Sequence, residues 1–355
     1  MDTQKLCLTG LLTCLLAATL LCVACTKEGD TIYLPNPDEE QPSTAPLVTV
    51  IYDVNGLGDR SYNDKIFRGI ESAAKKHGFR TLQLVPDSYE QGLAYLETMF
   101  RQMESAQDTV RRLFIVPCQG YDEFIRKNNR RLERNPYADL LYLETSTPLE
   151  GKGSTFYIDY YGAMYMAGHM SQDINIVDVM LLVLANPYTQ SVVEAGEGFV
   201  DGFNSTTGWH EKTLKIRYLS NEPGGGFQLA DTTALRIYEE AKNNIYDNVG
   251  LVPVCGGAMN AFFRSLTPYY FYIGVDDYFF LKSTYNYFNA IKNIDAVLEY
   301  YIDQWADATL PKHQMFGLGN GGTDIYFSNP GVFMYPNVDS LRQVAIRKEE
   351  QRYEK

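Results

Sequence analysis

The chain has 355 residues, a length that allows two domains of ordinary size, each with its own core. Hydrophobic residues make up 45% of the chain and charged residues 21%, which is typical of a globular protein. The net charge is −13, and a negative charge of this size argues against nucleic-acid binding, which needs clusters of Lys and Arg.

The first predicted element is an apolar segment at residues 6–24, directly before Cys25. It is short for a membrane span and has the length of a signal-peptide core. The end of this segment, Val23-Ala24-Cys25, resembles a bacterial lipobox. The resemblance implies that the chain is cleaved before Cys25, that residues 1–24 are removed as a lipoprotein signal peptide, and that lipid is attached to Cys25. The alternative is a single transmembrane anchor, which the polar segment that follows disfavours.

Residues 25–45 are predicted to form the lipidated cysteine and a flexible linker, because they are polar and rich in proline. The residue after Cys25 is Thr26. In the lipoprotein sorting patterns that this segment resembles, an Asp at this position retains the protein in the inner membrane, so Thr26 favours the outer membrane. The sequence therefore predicts a lipoprotein of the cell envelope, held in the outer membrane and facing either the periplasm or the cell surface.

Two cysteines, Cys118 and Cys255, remain after the signal segment and the lipidated residue are set aside. Each follows a predicted strand, in a different half of the chain, so a bridge between them would lock two domains together. We therefore expect two free, mostly buried thiols. The cysteine spacing does not match a metal site.

Short β-branched runs alternate with longer amphipathic stretches from residue 47 onward. The predicted strands are at 47–51, 81–85, 112–116, 140–144, 155–158, 177–184, 214–219, 250–254 and 270–275. The predicted helices run from near Tyr62 to His77, then near 89–106, 120–129, 160–172, 188–204, 226–244, 257–265 and 286–307. The helix at 160–172 is rich in small residues. This alternation predicts parallel sheets covered by helices on both faces.

The strand–helix alternation occurs twice, once in each half of the chain. It predicts an α/β fold with two doubly wound parallel-sheet lobes. The first lobe is expected at 46–172, the second at 173–280, and a crossover helix with a C-terminal segment that returns to the first lobe at 281–355. Ligands of open α/β sheets bind outside the carboxyl ends of the strands. The loops at those ends are rich in Gly, Asn, Asp, Ser and Tyr, so they are the candidate ligand site.

Asp53, Ser61, Tyr62 and Asn63 are the candidate residues of the first strand-to-helix connection. Asp53 either braces the turn or accepts hydrogen bonds from a ligand. Ser61 is a suitable N-cap for the helix that follows. Tyr62 either packs on the loop or offers a ring on which a planar ligand stacks, and Asn63 offers one donor and one acceptor group.

Gly256, Gly257, Asp276 and Lys292 are the candidates of the second half. The glycine pair either allows tight strand–helix packing or lets the backbone approach a ligand closely. Asp276 and Lys292, the latter on a predicted helix, either form an ordinary ion pair or hold the two hydroxyls of a ribose.

Signatures of catalysis do not emerge from the sequence. None of the four histidines follows a predicted strand, and there is no nucleophile elbow and no zinc-protease motif. The sequence therefore predicts a protein that is not an enzyme and that has no metal and no cofactor.

Six segments in register are similar to the basic membrane protein (BMP, PnrA-like) family of substrate-binding lipoproteins. They begin with "VTVIYDVNGLGDRSYNDKIFRGIESAAKKHG" and continue with "STFYIDYYGAMYMAGHMSQ", "VEAGEGFVDGFN", "VPVCGGAMNAFF", "IGVDDY" and "AIKNIDAVL". The similarity runs from about Val48 to Gly322. It implies a type I periplasmic-binding-protein fold with a hinged cleft that captures purine nucleosides, or in some relatives other ring-bearing compounds such as riboflavin.

By position in that resemblance, Asp53, Tyr62 and Asn63 contact the base, while Asp276 and Lys292 hold the ribose. Glu144 stands where the family has an Asp after the fourth strand. Four features depart from the family pattern. Tyr62 replaces a Phe, Glu144 is a longer acid, and "VDDY" lacks the Gln of the family. Val252 stands where an aromatic residue is expected, which predicts the loss of the second stacking ring.

The sequence thus indicates a lipid-anchored protein that captures a nucleoside-like small molecule for uptake, with an ABC-type or outer-membrane importer as its partner. Two alternatives remain open at this point. One is a nucleoside-processing enzyme, and the other is a surface lipoprotein with a diverged ligand.

Overall fold

A computed structural model describes residues 44–105, 109–117, 119–228, 236, 248–265, 271–277, 286–331 and 333–354. The predicted signal segment, Cys25, Cys118 and most of the helix predicted near 226–244 lie outside the described residues. None of the helices in the described part of the chain is long and apolar enough to cross a membrane.

The described residues form twelve strands and eight α-helices. The strands are β1 (Leu47–Ile51), β2 (Arg80–Leu84), β3 (Arg112–Val116), β4 (Ala138–Leu143), β5 (Ser154–Ile158), β6 (Val179–Leu184), β7 (Thr213–Tyr218), β8 (Val249–Val254), β9 (Phe271–Asp276), β10 (Asn286–Lys292), β11 (His313–Phe316) and β12 (Thr323–Phe327). The helices are α1 (Tyr62–His77), α2 (Tyr89–Ser105), α3 (Asp122–Asn128), α4 (Tyr161–Ser171), α5 (Gln190–Asn204), α6 (Met259–Ser265), α7 (Ile294–Ala306) and α8 (Val338–Glu350).

The strands form two six-stranded sheets, one in each lobe. The first has the order β11-β5-β4-β3-β1-β2 and is parallel throughout. The second has the order β12-β10-β9-β8-β6-β7. It is parallel except for β12, which pairs antiparallel with β10. The predicted fold of two parallel-sheet α/β lobes is confirmed, with one antiparallel edge strand that the alternating pattern did not predict.

The prediction of a helix near 286–307 is wrong for its first part. The first seven residues form β10, and the helix begins only at Ile294. Lys292 therefore ends a strand and does not lie on a helix. The run NYFNAIK is rich in aromatic and β-branched residues, and all but one of its side chains are buried between β9 and β12.

Helix α4 belongs to the core of the second lobe. Its buried side chains, from Tyr161 to Met170, pack in one cluster with those of β6, β8 and β9. Close approach to α5 explains this, because a Cβ atom on Gly168 would lie 2.1 Å from the carbonyl oxygen of Phe199. The division between the packed units thus falls near residue 160, whereas the sequence pattern placed it after residue 172.

The C-terminal part of the chain contributes to both lobes. Helix α7 packs with β1 and α1 in the first lobe, while β12 and α8 join the core of the second. The chain passes between the lobes after β5, after β10 and after β11. These three passages form the hinge region behind the cleft.

Glu349 of α8 joins two of the hinge passages. Its Oε2 accepts the backbone N–H of Gly162 at 2.8 Å, and its Oε1 accepts that of Leu318 at 2.9 Å. Glu349 is buried, and the buried acids Asp159 and Glu194 lie nearby. Burial raises the pKa of Glu349 from 4.5 to about 8 and that of Glu194 from 4.5 to about 7.

We expect the free energy of unfolding to fall as the pH rises from about 5 to about 8, since the folded protein binds more protons than the unfolded chain in this window. Each pKa unit of difference corresponds to about 1.4 kcal/mol. Urea unfolding of Glu349→Gln should show a shallower fall than that of the wild type. Glu350→Gln, at the exposed neighbouring position, is the matched control and should keep the wild-type profile. A Glu349→Gln profile parallel to that of the wild type would contradict the assignment.

Candidate functional site

A cavity of about 660 Å³ lies between the lobes, at the carboxyl ends of the strands of both sheets. Eight of the nine residues singled out from the sequence line it: Asp53, Tyr62, Asn63, Glu144, Gly256, Gly257, Asp276 and Lys292. The ninth, Ser61, donates a hydrogen bond from its hydroxyl to Asp276 Oδ2 at 2.9 Å. The structure therefore brings the candidates of both halves together around one space.

Asp53 and Asn63 form the polar part of the first wall. Asp53 Oδ1 accepts the backbone N–H of Asn55 at 2.7 Å and the side-chain amide of Asn63 at 3.3 Å. Burial raises the pKa of Asp53, and the hydrogen bonds from Asn55 and Asn63 oppose that rise. Asn63 Oδ1 is buried and has no hydrogen-bond partner among the described residues. This oxygen is therefore an unsatisfied acceptor on a residue that lines the cavity.

Asp59 caps the start of α1, and the predicted capping by Ser61 is wrong. Ser61 occupies the N-cap position but its side chain makes no capping bond. The carboxylate of Asp59 instead accepts the backbone N–H groups of Ser61, Asn63 and Asp64 at 2.9, 2.8 and 3.1 Å. Burial raises the pKa of Asp59 to about 6. The Ser61 hydroxyl is thereby left to reach Asp276 in the second lobe.

The ring of Tyr62 is held at the cavity wall by its hydroxyl, which donates to the carbonyl of Pro117 at 2.9 Å. A Phe, which the BMP-type sequence pattern has at this position, would lack this hydroxyl and its hydrogen bond to Pro117. Tyr89 and Tyr121 line the same wall as a stacked pair, with ring centroids 5.4 Å apart. The first lobe therefore offers several aromatic faces to the cavity.

Glu144 and Lys292 form a buried ion pair that joins the lobes. Lys292 Nζ donates to Glu144 Oε2 at 2.5 Å, and each residue is only 4% exposed. Burial raises the pKa of Glu144, and attraction to Lys292 opposes that rise. Glu144 Oε1 is buried without a hydrogen-bond partner in the described part of the chain. It is the second unsatisfied acceptor, after Asn63 Oδ1, on a residue that lines the cavity.

Asp276 ends β9 with a left-handed backbone, at a φ of 70°. Its N–H donates to the hydroxyl of Tyr160 at 2.7 Å, and that hydroxyl donates to the carbonyl of Ala290 at 2.6 Å. Burial raises the pKa of Asp276, and Lys292 and Ser61 oppose the rise. Glu144 has a φ of 59°, so two cavity residues other than glycine adopt this sparsely populated conformation, which is common at functional sites.

The second lobe supplies aromatic rings that the sequence comparison did not anticipate. Val252 is buried and does not line the cavity, but Phe227 and Tyr188 do. A Cβ on Gly256, whose φ is 51°, would lie 3.1 Å from the Phe227 ring, so the glycine leaves room for that ring. Aromatic rings of the second lobe therefore line the cavity although Val252 supplies none.

Sequence reasoning missed several lining residues, among them Asn55, Asp59, Tyr89, Tyr121, Tyr160 and Phe227. Tyr89 and Phe227 follow β2 and β7, the edge strands of the two sheets. The rule that ligands lie beyond the carboxyl ends of strands applies to these strands as well, and would have found both residues.

The cavity has no histidine among its lining residues. Within the described ranges, no group of three or more His, Cys, Asp or Glu side chains is arranged to hold a metal ion. Cys255, directly before the glycine pair, is buried.

Comparison with known proteins shows similarity at the level of the fold. No protein-family model matches the chain, and no curated protein matches it. A solute-binding protein of an ABC transporter system from Aeropyrum pernix K1 is 17% identical, with a TM-score of 0.65 over 86% of each chain. A transcriptional activator of the comK gene from Bacillus halodurans is 15% identical, with a TM-score of 0.62 over 86% of this chain and 96% of that one.

An ABC transporter periplasmic solute-binding protein from Actinobacillus succinogenes 130z, solved with bound D-allose, is 12% identical. Its TM-score is 0.59 over 80% of this chain and 98% of that one. These proteins differ in their stated roles, so the likeness concerns architecture. With two parallel-sheet lobes facing a shared cleft, the chain has the fold of a type I periplasmic binding protein.

Proposed function

We propose that the protein is a solute-binding protein that captures a nucleoside-like molecule, a ring joined to a hydroxylated sugar, between its lobes. One observation carries the proposal. Tyr62 of the first lobe and Asp276 and Lys292 of the second line the same cavity, next to the acceptors Asn63 Oδ1 and Glu144 Oε1, which lack partners in the described part of the chain. Buried acceptors without partners are costly, and a ligand that donates to them removes that cost.

The aromatic residues account for the ring of the ligand. Tyr62 and Phe227 stand on opposite lobes, so a planar base between them would bury both faces. The N–H groups of the base would donate to Asn63 Oδ1 and to Asp53. This arrangement gives selectivity, because a ligand without those donors leaves the acceptors unsatisfied.

The charged residues account for the hydroxyls. Asp276 accepts hydrogen bonds, and Lys292 keeps two N–H groups beyond the one that binds Glu144. A ribose diol both donates and accepts, so it matches this pair. The cavity volume of about 660 Å³ lies within the range of small-molecule sites.

The cellular setting follows from the sequence and belongs to the same proposal. Lipid on Cys25 would tether the lobes to the outer membrane through the linker at 25–45, and an ABC-type or outer-membrane importer would receive the ligand. Hinge motion at the three passages between the lobes would admit and release it.

We expect inosine to raise the melting temperature of the mature protein by about 5 °C at a concentration 100 times its dissociation constant. Riboflavin and D-allose should give smaller shifts. Tyr62→Leu should lower the affinity for inosine at least tenfold, since it removes the stacking ring, whereas Tyr300→Leu, at a partly exposed ring outside this cavity, should not.

Chromatography of the same mixtures tests the enzymatic alternative. The proposal predicts that inosine is recovered intact, and release of free hypoxanthine would instead assign a hydrolase. A melting temperature that responds to D-allose but not to inosine or riboflavin would replace the nucleoside by a sugar.

A further inference from the structure

Helix α1 carries a buried lysine close to the cavity but outside its lining. Lys65 is 1% exposed and lies one turn after Ser61. Its Nζ donates to the carbonyl of Asp276 at 2.9 Å and to the carbonyl of Lys292 at 2.6 Å. Both carbonyls belong to the second lobe, at the ends of β9 and β10, whereas α1 packs in the first lobe. One side chain of the first lobe therefore holds two strand ends of the second.

The surroundings of Lys65 offset part of the cost of burying its charge. Asp295 Oδ1 lies 3.8 Å and Asp277 Oδ1 3.9 Å from Nζ, and Arg68 pairs with Asp277 at 2.8 Å. Removal from water lowers the pKa of Lys65, and the carboxylates of Asp295 and Asp277 oppose this. Lysine is almost never fully buried unless it is paired, and here two carboxylates and two carbonyls supply the partners.

The two carbonyls that Lys65 binds belong to the same two residues whose side chains reach the ligand cavity. Asp276 has the strained φ of 70°, and such a conformation persists only where neighbouring groups determine it. The Tyr160 hydroxyl fixes its N–H, and Lys65 fixes its C=O. Both sides of the Asp276 residue are thus held, which sets the direction of its carboxylate.

We propose that Lys65 is a positioning residue that holds Asp276 and Lys292 in their ligand-binding arrangement from helix α1 of the first lobe. The proposal rests on the function proposed above and adds a positioning residue to it. The carbonyl of Lys292 lies at the hinge passage after β10, directly before α7, which packs on α1, so Lys65 fixes both strand ends at the point where the chain crosses between the lobes.

The test compares two lysines of the same helix by hydrogen exchange. Lys65→Met keeps the bulk of the side chain but removes its donors, while the control Lys76→Met removes a lysine that pairs with Asp303 at 2.6 Å within the first lobe. Lys65→Met should speed amide exchange about tenfold in residues 271–277 and 286–293, with β1 and β6 unchanged, and Lys76→Met should not. Lys65→Arg, which retains donors, should restore most of the protection.

Inosine binding provides the second measurement. Lys65→Met should weaken it about tenfold or more, because small displacements of positioning groups have large effects, and Lys76→Met should leave it unchanged. Exchange that is unchanged in Lys65→Met, that rises equally in all strands, or that is not restored by Lys65→Arg overturns the proposal. Wild-type protein that does not bind inosine refutes the proposed ligand, and the exchange comparison then still decides the role of Lys65.

Discussion

Replacing Lys292 by Met is expected to lower the free energy of unfolding by about 3–5 kcal/mol at neutral pH, because it leaves Glu144 buried without its cation. One oxygen of Glu144 already has no hydrogen-bond partner among the described residues, so the variant would leave the whole carboxylate unsatisfied. Urea unfolding measures this loss. The deficit should shrink as the pH falls, since protonation of Glu144 removes the unpaired charge.

Two comparisons separate this effect from general damage. Arg130→Met breaks the exposed pair with Glu150, whose atoms are 3.0 Å apart, and should cost no more than about 1 kcal/mol. The double variant Glu144→Leu with Lys292→Met removes both charges and should recover most of the stability lost by Lys292→Met alone. A double variant as unstable as Lys292→Met, or a deficit that is independent of pH, would contradict the assigned pairing.

Much of the scaffold could be predicted because its signals are local. The β-branched run of β1 leads into α1, whose ends at Tyr62 and His77 agree with the sequence pattern. Helix α1 ends at Gly78, which takes the left-handed conformation that stops helices. Ligands of such folds lie beyond the carboxyl ends of the strands, which predicts that Asp53 and Asp276 lie at the ligand site. Both residues line the same cavity.

Lys292 and the hinge could not be predicted in the same way, because both depend on partners far along the chain. A short apolar run suits a strand or a buried helix equally well, and only pairing with β9 and β12 makes residues 286–292 a strand. Glu349 binds backbone groups of Gly162 and Leu318, which lie 187 and 31 residues away in sequence. No periodicity within α8 indicates those contacts.

The roles of Ser61 and Asp59 show the same limit within a few residues. Both are good capping residues by type. The choice between them depends on Asp276, which is 215 residues away in sequence and draws the Ser61 hydroxyl across the cleft. The sequence thus identified Ser61 at the start of α1 but not its role, and it missed Asp59, which makes the capping bonds.

Gly202→Ala is expected to destabilise the protein by about 3 kcal/mol or more, although alanine is intrinsically the better helix former. A Cβ atom at this position of α5 would lie 2.0 Å from the carbonyl oxygen of Tyr165 in α4, and backbone cannot move aside as a side-chain end can. Gly168 and Gly198 face backbone at similarly short distances, at 2.1 and 2.4 Å, so the two helices are in contact along a seam of glycines. Thermal or urea unfolding of the variant measures the loss.

Gly196→Ala is the matched control for this seam, since it makes the same change in the same helix. Its Cβ would lie 3.0 Å from the end of the Leu184 side chain, which can rotate, so the helix-propensity gain of about 1 kcal/mol should offset most of the crowding. The chain leaves the first lobe after β5 and enters α4 directly, so forcing α4 and α5 apart at Gly202 should also disturb the adjacent hinge passage. Equal stabilities of the two alanine variants would show that the close approach of α4 and α5 is not what requires glycine.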